Sequence, residues 1–135
     1  MASIATLKRI SAKSLSEKLI AGLDESNPSV AVVDVRDDDY IGGHIKGCIH
    51  IPSQQLDAMM PTLIRRLQDK KTVVFHCALS QQRGPSAALR YLREGNPPEG
   101  QEVVVLDRGF SGWQEEFGRD ERITEGYRKE LWEEY

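Results

Sequence analysis

The stretch Val73-Val74-Phe75-His76-Cys77-Ala78-Leu79-Ser80-Gln81-Gln82-Arg83-Gly84-Pro85 places a thiol and a guanidinium at the two ends of a short loop. The β-branched and aromatic run before Cys77 predicts a buried strand. Gly84-Pro85 and the following Ser86 to Leu92 predict the start of a helix. Proline suits a first helical turn, where its missing N–H leaves no bond unmade. A strand, a tight loop and a helix N-terminus together turn consecutive backbone N–H groups toward one point. Cys77 stands at the base of that ring and Arg83 closes it, so the chemistry is nucleophilic attack on a bound anion. The thiolate is the attacking form, and N–H donors and a nearby guanidinium both favour it.

The candidate catalytic residues are therefore Cys77 and Arg83. The candidate oxyanion donors are the backbone N–H groups of Ala78, Leu79, Ser80, Gln81, Gln82 and Arg83. Arg83 adds a planar fork that a lysine cannot supply. His76 is expected to hold the loop through its backbone. The Ser80 hydroxyl either reaches the thiolate or lies on a surface turn.

Other elements must position that loop. Lys8-Arg9-Ile10 reads as a first strand, and Ser11 or Ser14 caps a helix through Leu23. Val30 to Val35 is a continuous apolar strand, and Asp37 to Gly43 a polar loop. Cys48-Ile49-His50-Ile51 is a short strand ended by Pro52, and Gln54 to Leu67 has helical spacing. Thr72 to Phe75 is the next strand, with a helix after the loop to about Arg93. Val103 to Leu106 is the last strand, followed by a short helix around Trp113 to Phe117. Thr124 to Tyr135 reads as a terminal helix. Strands alternating with helices imply a parallel sheet covered on both faces, with the ligand at the carboxyl ends of the strands. The Cys77 loop leaves such an end.

The chain has 135 residues, a net charge of −3 and 2 cysteines. That length suits one domain, 1–135, with a core from a sheet and its helices. No basic stripe favours nucleic acid, and no run is apolar enough for a membrane span. The N-terminus lacks a signal-peptide pattern. Two cysteines make no disulfide framework, so the expected compartment is reducing, cytoplasm or nucleus.

Three segments carry a resemblance. Asp34-Val35-Arg36 closes a strand, Tyr40-x-x-x-His44-Ile45-x-Gly47 follows, and Leu106-Asp107-Arg108-Gly109-Phe110-x-x-Trp113 lies near the end. Together they resemble the rhodanese fold over about residues 8–117, leaving 118–135 as a helical tail. The resemblance implies an α/β single rhodanese-like domain with a central, mostly parallel sheet and helices on both faces. The Cys77–Arg83 loop, with His76 before it and Gly84-Pro85 after it, resembles that of the cell-division-cycle dual-specificity (M-phase inducer) phosphatases. Small eukaryotic arsenate reductases share that loop. Sulfur-transferring rhodaneses commonly have a loop one residue shorter, which disfavours a thiosulfate sulfurtransferase. An intact Cys77 and Arg83 disfavour a non-catalytic binding module.

The implied reaction is hydrolysis of phosphotyrosine or other aryl phosphate esters through a cysteinyl-phosphate intermediate. The alternative is arsenate reduction through the same Cys77, with glutathione or glutaredoxin as reductant. No cofactor is expected otherwise, and no metal. His44, Cys48 and His50 lack a zinc-site spacing, and His44 falls on the rhodanese signature. The expected partner is a phosphorylated protein or a small phosphate or arsenate anion, and the chain is expected to be a monomer. Asp34 and Arg36 read as a charge pair supporting the loop. Many of the mitotic phosphatases carry Glu directly after the nucleophile, where this chain has Ala78. Asp37, Asp38, Asp39 and Asp107 read as solvated loop carboxylates, so no general acid is identified. The site is expected to be shallow.

Overall fold

The structure is a computed structural model and describes residues 3 and 6–133. Five strands form the main sheet: β1 (Lys8–Ile10), β2 (Val30–Asp34), β4 (Ile49–His50), β5 (Thr72–His76) and β6 (Glu102–Leu106). Their order is β1-β6-β5-β2-β4, and every pairing is parallel. β5 is central and buried along its whole length, which accounts for its unbroken apolar run.

Side chains alternate between two cores, as the pleat of a strand requires. Val73 and Phe75 point to one face, with Val33 and Val105, and meet Met60, Leu63, Ala88 and Tyr91. These come from α2 (Leu56–Arg66) and α3 (Arg83–Gly95). Val74 points to the other face, with Val32 and Val104, and meets Leu15, Phe110 and Trp113. Those come from α1 (Ala12–Ala21) and α4 (Gly109–Phe117). Ser11 caps α1, its hydroxyl accepting from the Ser14 N–H at 3.0 Å. A 3₁₀ turn at Ser53–Gln55 leads into α2, which runs on through Pro61.

The C-terminal tail departs from the sequence expectation of one helix from Thr124. β7 (Thr124–Glu125) pairs antiparallel with β3 (His44–Ile45), and helix returns only in α5 (Lys129–Trp132). Residues 134 and 135 lie outside the described residues. Two features decide the outcome. Gly126 adopts a φ of +66° that no helix contains. Thr124 is fixed sideways, accepting from the Trp113 indole at 2.9 Å and donating to the Phe117 carbonyl at 2.7 Å. α5 then docks on Gly42, whose carbonyl accepts from the Trp132 indole at 2.9 Å and from the Arg128 N–H at 3.1 Å. Gly42 has φ +93°, and a Cβ there would lie 2.9 Å from the Trp132 ring nitrogen. Among the described residues, no helix is long and apolar enough to cross a membrane.

Candidate active site

Cys77 directly follows β5 and is buried, 3% exposed. The loop after it is held from outside. The N–H groups of Phe110 and Ser111, in the first turn of α4, donate to the carbonyls of Cys77 and Ala78 at 3.0 and 2.9 Å. Gly109 permits this approach: it has φ +55°, and a Cβ would overlap the Cys77 carbonyl. With those carbonyls turned outward, no protein group among the described residues accepts from the backbone N–H of Ala78, Leu79, Ser80, Gln81 or Gln82. The Gly84 N–H, at the start of α3, donates to the Cys77 sulfur at 3.3 Å. The loop encloses a hollow of about 230 Å³ lined by Cys77, Ala78, Leu79, Gln81, Gln82 and Arg83.

Ser80 overturns the surface-turn alternative. It is fully buried at φ +56°, and among the described residues its hydroxyl has no hydrogen-bond partner, so it does not reach the sulfur either. The left-handed backbone at a non-glycine residue is strained. Arg9 supports it, donating to the Ser80 carbonyl at 3.0 Å.

Behind the loop lies a buried polar group. The Arg36 guanidinium clamps Asp34 with contacts of 2.7 to 3.1 Å, and both side chains are wholly buried. Arg36 also donates to the carbonyls of Gly43 and Asp39, and its charge sits 4.3 Å from the Phe110 ring centroid. His76 Nδ1 lies 3.1 Å from the Cys77 carbonyl, as expected for a residue holding the loop through its backbone. Its Nε2 lies 3.6 Å from Asp34. Burial holds the His76 imidazole below its ordinary range. Burial pushes Asp34 up, but the neighbouring His76 and Arg36 outweigh it and leave the carboxyl below its usual value.

The acidic loop corrects the sequence reading most. Asp37 and Asp39 are not merely solvated. Asp39 takes the Arg83 guanidinium through both oxygens, at 2.9 and 2.6 Å, and Asp37 adds a third contact at 3.2 Å. Asp37 is itself fixed by the Ser53 hydroxyl at 2.6 Å and the Gln54 N–H at 3.3 Å. The Arg83 hydrogen bonds hold Asp39 below the usual carboxylate range, against partial desolvation. For Asp37, desolvation is outweighed by Ser53, Gln54 and Arg83, and it too is lowered. Arg83 is pushed up in turn by Asp39. Neither carboxyl is a proton donor near neutral pH; both occupy hydrogen-bond donors of the Arg83 guanidinium. Asp107 pairs with Arg9 at 3.5 Å near the surface. The signal lay in the topology: loops leaving the carboxyl ends of adjacent parallel strands meet, and β2 neighbours β5.

His44, Cys48 and His50 surround Tyr40. Its ring stacks on His50 at 3.6 Å and on His44 at 5.1 Å, and its hydroxyl lies 3.7 Å from the Cys48 sulfur. Nε2 of His50 also lies 2.7 Å from the Arg36 carbonyl, and Nε2 of His44 lies 3.2 Å from Glu125. Burial and the Asp34 charge push the Cys48 thiol up to about 11. Among the described residues, no group of three or more His, Cys, Asp or Glu side chains is placed to hold a metal ion.

A cavity of about 610 Å³ opens beside the loop, between Leu79, Ile41, Leu131 and Trp132.

The family model of the rhodanese-like domain matches residues 15–116. The chain belongs to the rhodanese family. Its relatives in that family include the arsenate reductase 2.1 of Oryza sativa subsp. japonica, 47% identical over 102 residues, or 72% of this chain. Another is the dual specificity phosphatase Cdc25 of Arabidopsis thaliana, 44% identical over 92 residues, or 64% of this chain. The matched stretch spans 63% of the length of each plant protein. Among solved structures, Ygr203w, a yeast protein tyrosine phosphatase of the rhodanese family, superposes with a TM-score of 0.81 and 37% identity. That match covers 96% of this chain and 99% of the yeast chain. The rhodanese assignment agrees with the sequence resemblance and with the α/β sheet described above.

Proposed function

We propose that this rhodanese-family chain is a cysteine phosphatase acting on aryl phosphate esters, phosphotyrosine among them. The observation that carries the reading is the loop itself: consecutive backbone N–H groups with no protein acceptor among the described residues, a buried sulfur at their base, and a guanidinium at the rim. Phosphoryl transfer needs chiefly positioning and stabilisation of charge on the equatorial oxygens, which such a cradle supplies. The Cys77 thiolate attacks phosphorus and the P–O bond of the ester breaks. The departing oxygen takes a proton from solvent. Water then attacks the cysteinyl phosphate, the S–P bond breaks, and inorganic phosphate leaves with the thiolate restored. With Asp37 and Asp39 committed to Arg83 and Ala78 after the nucleophile, a phenolate leaving group is favoured over an alkoxide. General-acid help is worth about 10²–10⁴-fold, and an alkyl ester forgoes it here.

The similarity to the rice arsenate reductase supports a second reading, since reducing arsenate needs the same cradle and no acid for an ester oxygen. The Cys77 thiolate displaces hydroxide, which leaves as water, to form a thioarsenate. A glutathione thiolate attacks the sulfur, and the S–As electron pair reduces arsenic to arsenite. Glutaredoxin then reduces the mixed disulfide. Both readings require a free thiol and so a reducing compartment, cytoplasm or nucleus.

Purified protein and its Cys77→Ser variant are assayed with phenyl phosphate, with arsenate plus glutathione and glutaredoxin, and with thiosulfate plus cyanide. Phenyl phosphate hydrolysis that is lost in Cys77→Ser supports the phosphatase. Turnover of arsenate alone selects the second reading, and thiosulfate turnover alone refutes both.

A further inference from the structure

The cavity beside the loop is larger than the loop hollow and different in character. It measures about 610 Å³, within the roughly 300–1,000 Å³ of small-molecule sites. Ala78 and Leu79 belong to both spaces, so the cavity begins where the hollow ends. Its far walls are Ile41, Leu131 and Trp132, with Asp39 at the edge beside Arg83. Among the described residues only four large apolar side chains are exposed, and two of them, Ile41 at 70% and Leu79 at 54%, rim this cavity. An exposed apolar pair facing a concave, apolar wall marks a binding surface rather than random scatter.

We infer that this cavity is the subsite for the aryl group of a phosphate monoester whose phosphoryl group sits in the Cys77 loop. The inference rests on reading that loop as an oxyanion cradle. In-line attack sends the leaving group away from the sulfur and out of the hollow. The shared wall of Ala78 and Leu79 then leads the ring onto Leu131, Trp132 and Ile41. The Trp132 ring is a firm wall, because its nitrogen donates to the Gly42 carbonyl at 2.9 Å and its ring centroid lies 5.3 Å from that of Phe110, the two rings tilted. A bare phosphate or arsenate fills only the hollow and gains nothing from the cavity. The tail helix α5 thereby acquires a role in choosing the substrate.

The test measures binding of phenylphosphonate, methylphosphonate and inorganic phosphate to the full chain by calorimetry. The same measurements are made on the Ile41→Ser/Leu131→Ser double variant. Burying one aromatic ring makes phenylphosphonate bind roughly tenfold or more tightly than methylphosphonate. The double variant cuts that advantage below about threefold and leaves the inorganic phosphate affinity within about twofold, which also verifies its fold. Equal binding of the two phosphonates, or an advantage that survives the double variant, overturns the subsite. Turnover of phenyl phosphate is measured alongside. Selective phenylphosphonate binding without turnover upholds the subsite and refutes the hydrolase; turnover without selectivity refutes the subsite alone.

Discussion

Replacing Arg36 by methionine leaves the Asp34 carboxylate wholly buried without its counter-charge. Three contacts of 2.7 to 3.1 Å to Asp34 disappear, together with donations to the Gly43 and Asp39 carbonyls. The charge above the Phe110 ring is lost as well, while the methionine recovers part of the packing. Removing one member of a buried ion pair costs about 3–5 kcal/mol, and we expect roughly 4 kcal/mol at pH 7.5. A domain of this size is typically stable by about 5–15 kcal/mol, so the variant folds but melts roughly 10–20 °C lower.

The loss depends on pH in a definite direction. In the native protein Asp34 titrates below its ordinary 3.8, so its contribution is present above that value and fades as pH falls through the lowered one. In Arg36→Met, burial acts without the guanidinium, and the folded-state carboxyl rises above its unfolded value. That variant gains stability as pH falls, so the gap to the native protein narrows on acidification. Urea melts followed by circular dichroism at pH 7.5 and 5.5 measure both quantities. Arg36→Met/Asp34→Leu, with both charges removed, is expected to be more stable than Arg36→Met alone. A loss under about 1 kcal/mol at pH 7.5, or a gap that widens at pH 5.5, refutes the assignment of Asp34 as a carboxylate held by Arg36.

Arg83→Lys keeps the charge but loses the planar fork, and is expected to lower kcat/KM for phenyl phosphate about 10²–10³-fold; near-native kinetics would exclude a paired guanidinium contact. Asp39→Asn removes the carboxylate that takes two of the Arg83 donors, so inorganic phosphate should inhibit about three- to tenfold more tightly. Weaker inhibition would show that Asp39 orients Arg83 rather than competing for it. Because Asp37 and Asp39 both titrate below 3.8, that effect should be flat between pH 5 and 8. Cys48, with its thiol near 11, should alkylate slowly at pH 8 and about tenfold faster for each unit of pH up to that value, as mass spectrometry of the intact protein would show.

Local signals placed the elements. The apolar run into Cys77 and the Gly84-Pro85 helix start made the loop legible, because each depends only on neighbouring residues. The alternation Val73, Val74, Phe75 between two cores follows from the strand period, and Ser11 capped α1 as its side chain allows. Asp34 and Arg36 emerged as a charge pair for the same reason: two residues apart at a strand end, they meet with little help from the rest of the chain.

Only the tertiary structure decided what distant segments do to one another. Asp37 and Asp39 engage Arg83 because β2 lies beside β5, and sheet order is not written in local periodicity. Gly109 and Phe110 fell on a recognisable signature, yet their part in holding the Cys77 carbonyl appears once α4 packs against the loop. The tail read as helix because its polar and apolar spacing permits one. The β3–β7 pairing, the Trp113–Thr124 bond and the docking of Trp132 on Gly42 outweigh that weak local preference. Residue type and spacing thus locate Cys77 and the loop that follows it, whereas contacts between segments far apart in the chain set the orientation of Arg83 and the walls of the cavity beside it.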